Sequence, residues 1–409
     1  MPNCFGPANI LLPDFNCISG EKWAVVACDQ FTSQPEYWEA AREKIGDAPS
    51  TLDLILPEAY LDRQDELLPR ISQHMKDYDE TILKKYNDTY IYVERVQSDG
   101  RVRRGLVGAV DLECYDWHSG SSTSVRATEG TVPERIPPRV NIRRRASIEL
   151  PHIMLLIDDA ERQVIESLSE KKDTLRVAYD FPLMLGGGHI KGWFVSGSAA
   201  SDINDKLTSL FEKRGEMHIA VGDGNHSLAT AKTIYEQLKL ELGEAAQVHP
   251  ARYALAELVN IHDDALEFEP IYRIAVNVDA NKLIAGFKEY AESLNGDALP
   301  QKIDILCGKA RETVVVAHPE NRLAVGTLQN YLDRYVKENE SCEIDYIHGE
   351  QNTVMLAEKP DSVGFLFEGM TKAELFPSVI SDGSLPRKTF SMGNAEDKRY
   401  YIEARKIIL

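Results

Sequence analysis

Apolar residues recur along this chain in two rhythms, and its most informative stretch lies where one rhythm gives way to the other. Ile219-Ala220-Val221 is a short run of β-forming residues, and from Ser227 onward Leu228, Ala231, Ile234, Tyr235 and Leu238 fall at helical spacing. The pattern predicts a strand that ends at Gly222 and a helix that begins near Ser227. Trp23 to Cys28 reads as a short apolar strand, and Pro35 is placed to start a helix running to Ile45. Leu61 to Tyr86 reads as mostly helical, with Pro69 as a break or kink. Thr89–Val96 and Arg103–Leu112 flank Gln97-Ser98-Asp99-Gly100, a strong hairpin signal, and a second hairpin is predicted around Gly186-Gly187-Gly188. No helix carrying Lys-Ser/Thr follows that glycine run, so it reads as a turn and not as a phosphate loop. Ile148 to Asp159 reads as one apolar strand, with a structural His152 near its start.

After Arg273 the alternation is simpler. A strand over 274–278, a helix over 280–294, a strand over 313–317, helical runs over 326–339 and 350–357, and a strand over 363–367 are predicted. Strands separated by helices give an α+β, mixed α/β protein. A boundary near Asn277 to Asp279 divides it into a larger domain, 1–277, and a smaller αβ-sandwich lobe, 278–409, whose last segment could return to the cleft.

The chemistry gathers at the strand-to-helix junction. Gly222 and Gly224 permit a tight turn or a positive φ and let a ligand approach the backbone without meeting a Cβ. The first amides of a helix have no intrahelical partner, so with the dipole they form a ready anion site. Asp223, Asn225, His226 and Ser227 stand at its rim, and Lys232 sits about a turn further on. Asp223 could hold Mg²⁺ or accept a proton, and His226 could act as a base or meet a phosphate as imidazolium. The plainer alternative is that Asp223 and Ser227 only cap the helix.

A second cluster is basic. Arg126, Arg135, Arg139, Arg143, Arg144 and Arg145 follow a loop, Ser119 to Ser124, that reads as mobile. Spacing of four puts Arg135, Arg139 and Arg143 on one helix face, within reach of a polyphosphate. Salt bridges to Glu134 and Glu149 are the competing reading.

The 409 residues carry 65 acidic against 46 basic side chains, a net charge of −19. That balance opposes a general grip on nucleic acid or on an anionic membrane, so any anion site must be a local exception. No helix-turn-helix follows the helix that begins near Ser227. No run approaches the roughly 20 apolar residues of a membrane span, and Met1-Pro2-Asn3-Cys4 opens no signal peptide, so a cytoplasmic protein is expected. The six cysteines are scattered without a Cys-x-x-Cys pair and read as reduced thiols. Cys28 is the one that could face a cleft, with core packing the favoured role.

Asp223-Gly224-Asn225-His226-Ser227 followed by a helix resembles the Asp-Gly-His-His-Arg signature of the domain-of-unknown-function family 1015. Ala27-Cys28-Asp29 with Ser50 to Glu58, Leu258 to Arg273, and Ser384-Leu385-Pro386-Arg387-Lys388-Thr389-Phe390 also resemble its segments. Two departures stand out: Asn225 replaces the first His and Ser227 replaces the Arg. An Arg would clamp a phosphate bidentately where Ser cannot, so either another cation, drawn from the 126–145 stretch, replaces it or the ligand differs.

The strand, turn and helix are also similar to the ParB and sulfiredoxin superfamily, which includes nucleotide-dependent free-serine kinases. That similarity implies a ParB/sulfiredoxin-like core, nucleotide phosphate at the turn, ATP or ADP with CTP as an alternative, and Mg²⁺ at Asp223. It also implies a carboxylate base near the first helix, Asp29 or Glu36, the latter equally a helix-start acid. Arg387 and Lys388 would return over the cleft, or else lie on a surface loop that ends the domain. The expected function is a nucleotide-dependent phosphotransferase acting on a small hydroxyl-bearing metabolite, such as an amino acid. A non-catalytic nucleotide-binding regulatory switch and a phosphohydrolase remain open.

Overall fold

The computed structural model describes residues 3–118, 120–393 and 395–409. Met1 and Pro2, and Ser119 at the start of the expected mobile loop, lie outside them. The chain forms two compact units, one of Met1–Ala127, Thr131–Leu266 and Asn394–Leu409, the other of Thr128–Gly130 and Glu267–Gly393. They divide near 266, against the expected 277, and the C-terminal stretch belongs to the first unit.

The first unit is built on a mixed sheet. Its strands run in the order Val177–Pro182, His189–Ser196, Leu83–Val96, Val102–Asp111, Tyr253–Asn260, Met154–Ile157, Ile219–Asp223, Val125–Ala127 and Tyr115–Asp116. The predicted hairpins close as expected, with Val96 opposite Val102 and Pro182 opposite His189. Alternate residues of one strand enter two different cores. Tyr90 and Tyr92 pack with Leu155, Val221, Leu228 and Tyr235, whereas Ile91 and Val93 pack with Trp23, Trp38, Val107 and Leu255. A sheet buried on both faces needs apolar residues at successive positions, which is why these strands read as runs and not as alternations. The architecture is mixed α/β.

Three local expectations change. Trp23 to Cys28 supplies only a two-residue strand, Val25–Val26, because Gly20–Trp23 is a helical turn. The helix Gln64–Thr81 is not broken at Pro69, whose exposed position lets water meet the carbonyl that the ring leaves unbonded. The run Ile148 to Asp159 is two short strands, Ile148–Glu149 and Met154–Ile157. Pro151 in the gap has no N–H to offer a ladder, and the irregular segment carries His152 out of the sheet.

The second unit is an antiparallel sheet in the order Ala310–Val316, Gln301–Cys307, Ser362–Phe367, Glu269–Val276 and Glu343–His348, with Phe390–Ser391 paired to the start of Glu269–Val276. Helices Ala280–Ser293, Ala324–Glu338, Glu350–Ala357 and Leu375–Asp382 accompany it. Strands 301–307 and 343–348 and the helix 375–382 were not anticipated. All six cysteines are free. Among the described residues no helix is long and apolar enough to cross a membrane.

Candidate functional site

The strand Ile219–Asp223 lies antiparallel to Met154–Ile157 and parallel to Val125–Ala127, and it delivers Asp223 to the sheet's end. Gly224 turns the chain with φ 78° and ψ 25°, and the signature helix runs from Asn225 to Leu242. A Cβ on Gly224 would sit 3.0 Å from the Ile153 Cα, so both its left-handed backbone and its surroundings require glycine. Its N–H donates to Asp223 Oδ1 at 2.8 Å. The amides of Asn225, His226 and Ser227 open the helix, where no intrahelical carbonyl can reach them.

Lys398 Nζ lies 3.1 Å from Asp223 Oδ2. Burial pushes the Asp223 carboxyl up, but Lys398, helped by His152 and the Gly224 N–H, outweighs it and holds the carboxyl below the usual value. His226 accepts the Val132 N–H at its Nε2, at 3.4 Å, which leaves Nδ1 to carry the proton of the neutral ring. Burial, with Arg139 and Arg135 nearby, keeps the imidazole below its ordinary value against the opposing charge of Asp29. The Cys28 thiol is pushed up to about 12, first by burial and then by Asp29, so it stays protonated and is no thiolate nucleophile.

Ser227 reaches inward. Its Oγ lies 2.8 Å from His152 Nε2, and His152 Nδ1 lies 2.8 Å from the Tyr401 hydroxyl. That hydroxyl accepts the Cys28 N–H at 3.2 Å. Glu58 joins the same corner: its N–H donates to the Cys28 carbonyl at 2.8 Å, and its carboxylate pairs with Arg139.

Asp223, Asn225, His226, Ser227, Asp29, Arg135 and Arg139 therefore share one neighbourhood, and other expected residues are engaged differently. Arg126 is buried, donates to the Thr123 carbonyl and lies 3.7 Å from Glu216. Arg143 is held by buried Glu149. Lys232 donates to the Leu112 carbonyl at 2.8 Å and pairs with Glu236. Glu36 is exposed in the first turn of its helix, the position of a dipole-favoured acid. Arg387 and Lys388 belong to the second unit, where Arg387 donates to the Tyr346 hydroxyl and Lys388 N–H to Glu129. Sequence reasoning missed Lys398 and Tyr401, and it favoured a structural over a catalytic role for His152.

The last residues are fixed by buried charge. Arg399 pairs with Glu257, and with Glu403 at 2.6 Å, while the Tyr179 hydroxyl donates to Glu403 at 2.5 Å. Tyr400 to Ala404 are almost entirely buried. This anchoring carries Lys398 and Tyr401 to the signature turn.

Asp223 does not suit a resident metal. Both its oxygens already have partners, and among the described residues no group of three or more His, Cys, Asp or Glu side chains could hold an ion.

The model of the family described as protein of unknown function DUF1015 matches residues 14–383. The chain belongs to that family. No curated protein matches this DUF1015 chain. Among solved structures it is similar to a conserved hypothetical protein from Pyrococcus furiosus, at 12% identity and TM-score 0.35, covering 72% of this chain and 97% of that one. It is similar to a free serine kinase mutant in complex with ADP, at 12% identity and TM-score 0.39, covering 76% and 93%. C-terminally truncated SbnI from Staphylococcus aureus follows at 9% identity and TM-score 0.36, covering 72% and 82%. The family match ends at 383, so Lys398 and Tyr401 lie beyond it.

Proposed function

We propose that this DUF1015 protein is a nucleotide-dependent phosphotransferase acting on a small hydroxyl-bearing metabolite, an amino acid being a suitable acceptor. The reading rests on one observation above the others: Asp223 closes a glycine turn at the head of an 18-residue helix and holds Lys398 beside it. The free amides of Asn225 to Ser227 would meet phosphate oxygens, and Lys398 and Arg139 would neutralise charge that develops on them. His226 would add a further positive charge once an anion favours its protonation.

Asp29, whose charge acts on His226, would take the acceptor's proton. The acceptor oxygen forms a bond to the terminal phosphorus while the bond to the leaving nucleoside phosphate breaks. Such transfer depends on positioning and charge neutralisation more than on covalent help. When bound with the nucleotide, Mg²⁺ would shield the phosphates next to Asp223.

A thermal-shift panel of ATP, ADP, CTP, GTP and pyrophosphate, with and without Mg²⁺, tests the reading, because a ligand specific for the folded state raises its stability by mass action. A nucleotide-selective rise that is lost in Asp223→Asn and His226→Ala is expected, followed by phosphoryl transfer to an acceptor in a metabolite screen. No rise with any member would remove the reading. Binding without transfer would point to a regulatory switch, and phosphate release without an acceptor to a hydrolase.

A further inference from the structure

Ser227, His152 and Tyr401 stand in series at the signature turn. The Ser227 hydroxyl and the Tyr401 phenol are each 2.8 Å from one nitrogen of the same imidazole. The two rings meet edge to face at 5.6 Å and 88°, which fixes the plane in which His152 can rotate. His152 itself stands in the break between Ile148–Glu149 and Met154–Ile157, with the Pro151 carbonyl before it held by Arg399. A hydroxyl within reach of a base that is itself held by a third group is the arrangement that activates a nucleophile.

The tautomer of His152 sets the direction of these two hydrogen bonds. Burial pushes the Tyr401 hydroxyl well above its usual value, so the phenol stays neutral with one proton to give. Its oxygen accepts the Cys28 N–H and retains a second lone pair. The activating tautomer is the one in which that lone pair takes a proton from Nδ1. His152 Nε2 is then unprotonated and faces the Ser227 O–H.

We propose that Ser227 is a catalytic nucleophile that carries a phosphoryl group covalently, with His152 as its base and Tyr401 as the residue positioning that base. The proposal rests on the phosphotransferase reading for the donor and replaces direct transfer with two displacements. In the first, Ser227 Oγ bonds to the terminal phosphorus, the bond to the leaving nucleoside phosphate breaks with its electron pair on the leaving oxygen, and the Ser227 proton passes to His152 Nε2. In the second, the acceptor hydroxyl attacks the same phosphorus and gives its proton to Asp29. Oγ leaves and recovers its proton from His152.

Two assays on the full chain test this. A fluorophosphonate probe, which reports serine activation without any nucleotide, is expected to label the Ser227 peptide. Labelling should slow by about a hundredfold in His152→Ala, the scale of a lost general base. Added imidazole should restore part of it, a response that a purely structural role would not give. His152→Gln serves if the alanine variant melts early, and Tyr401→Phe should slow labelling less. Incubation with Mg²⁺ and ATP or ADP is expected to leave one phosphoryl group on the same peptide. No fluorophosphonate label on Ser227, or a rate indifferent to His152, overturns the proposal. A nucleotide-dependent rise in melting temperature with no phosphoryl group on Ser227 also overturns it, while leaving direct transfer and the phosphotransferase reading intact.

Discussion

Lys398 decides the charge state of Asp223. The pair is only partly shielded, with side-chain exposures of 17% and 28%, so its net worth is roughly 1 kcal/mol once water screens it. The carboxyl is lower in the folded protein than in the unfolded chain, so its contribution is present above the unfolded value and lost as pH falls through the folded one. Urea unfolding of Lys398→Met should show a deficit of about 1 kcal/mol near neutral pH that narrows in acid.

His226 has the same sign with a different consequence. Burial, and then Arg139 and Arg135, hold it below the ordinary 6.5, so its neutral form supports folding above that value and the support is lost as pH falls through the lowered one. A bound anion reverses the preference. Nucleotide affinity, followed by calorimetry, should therefore strengthen between about pH 7.5 and 6, and His226→Ala should flatten that slope. Asp223, Asn225 and His226 were legible because they are neighbours in sequence. Their partners were not, because Lys398 meets Asp223 across 175 positions, and Ser227 and Tyr401 meet His152 across 75 and 249.

Between strand and helix, one glycine sets the geometry. Gly224→Ala places a Cβ 3.0 Å from Ile153 and forces a left-handed backbone on alanine. A loss of about 1 to 3 kcal/mol is expected, read as a lower denaturation midpoint with an unchanged slope. Periodicity found this element and both hairpins because turn residues bracket them. It ran the strand at 148 through to 159 because apolar content conceals the break at Pro151, and that break is what frees His152. Glu343–His348 escaped because this edge strand of the second sheet stays half exposed and never forms an apolar run.

Across the whole molecule, stability and the candidate site share the buried charges of the last segment. Burial pushes the Glu257 carboxyl up, but Arg103 and Arg399 hold it below the usual value. Arg399→Met would leave Glu257 and Glu403 without that guanidinium, at a cost of roughly 3 to 5 kcal/mol in thermal or denaturant unfolding. The fold class was legible in the alternation of strands and helices. A return of the last segment was anticipated at Arg387 and Lys388, but the stretch that joins the first unit starts later, and nothing in Lys398-Arg399-Tyr400-Tyr401 names its distant partners.

The pairing of Glu269 and Pro270 with Ser391 and Phe390 carries one more consequence. It brings together the two ends of the long segment Glu267–Gly393, so a detour of about 120 residues starts and finishes at neighbouring points. Folding of the detour shrinks the loop that must close before the final segment docks, which saves about 3 kcal/mol of chain entropy by the logarithmic dependence on loop length. A short glycine-rich bridge between 270 and 390 should preserve the protection of the Tyr401 amide against hydrogen exchange, and a floppy linker of the original length should lose it.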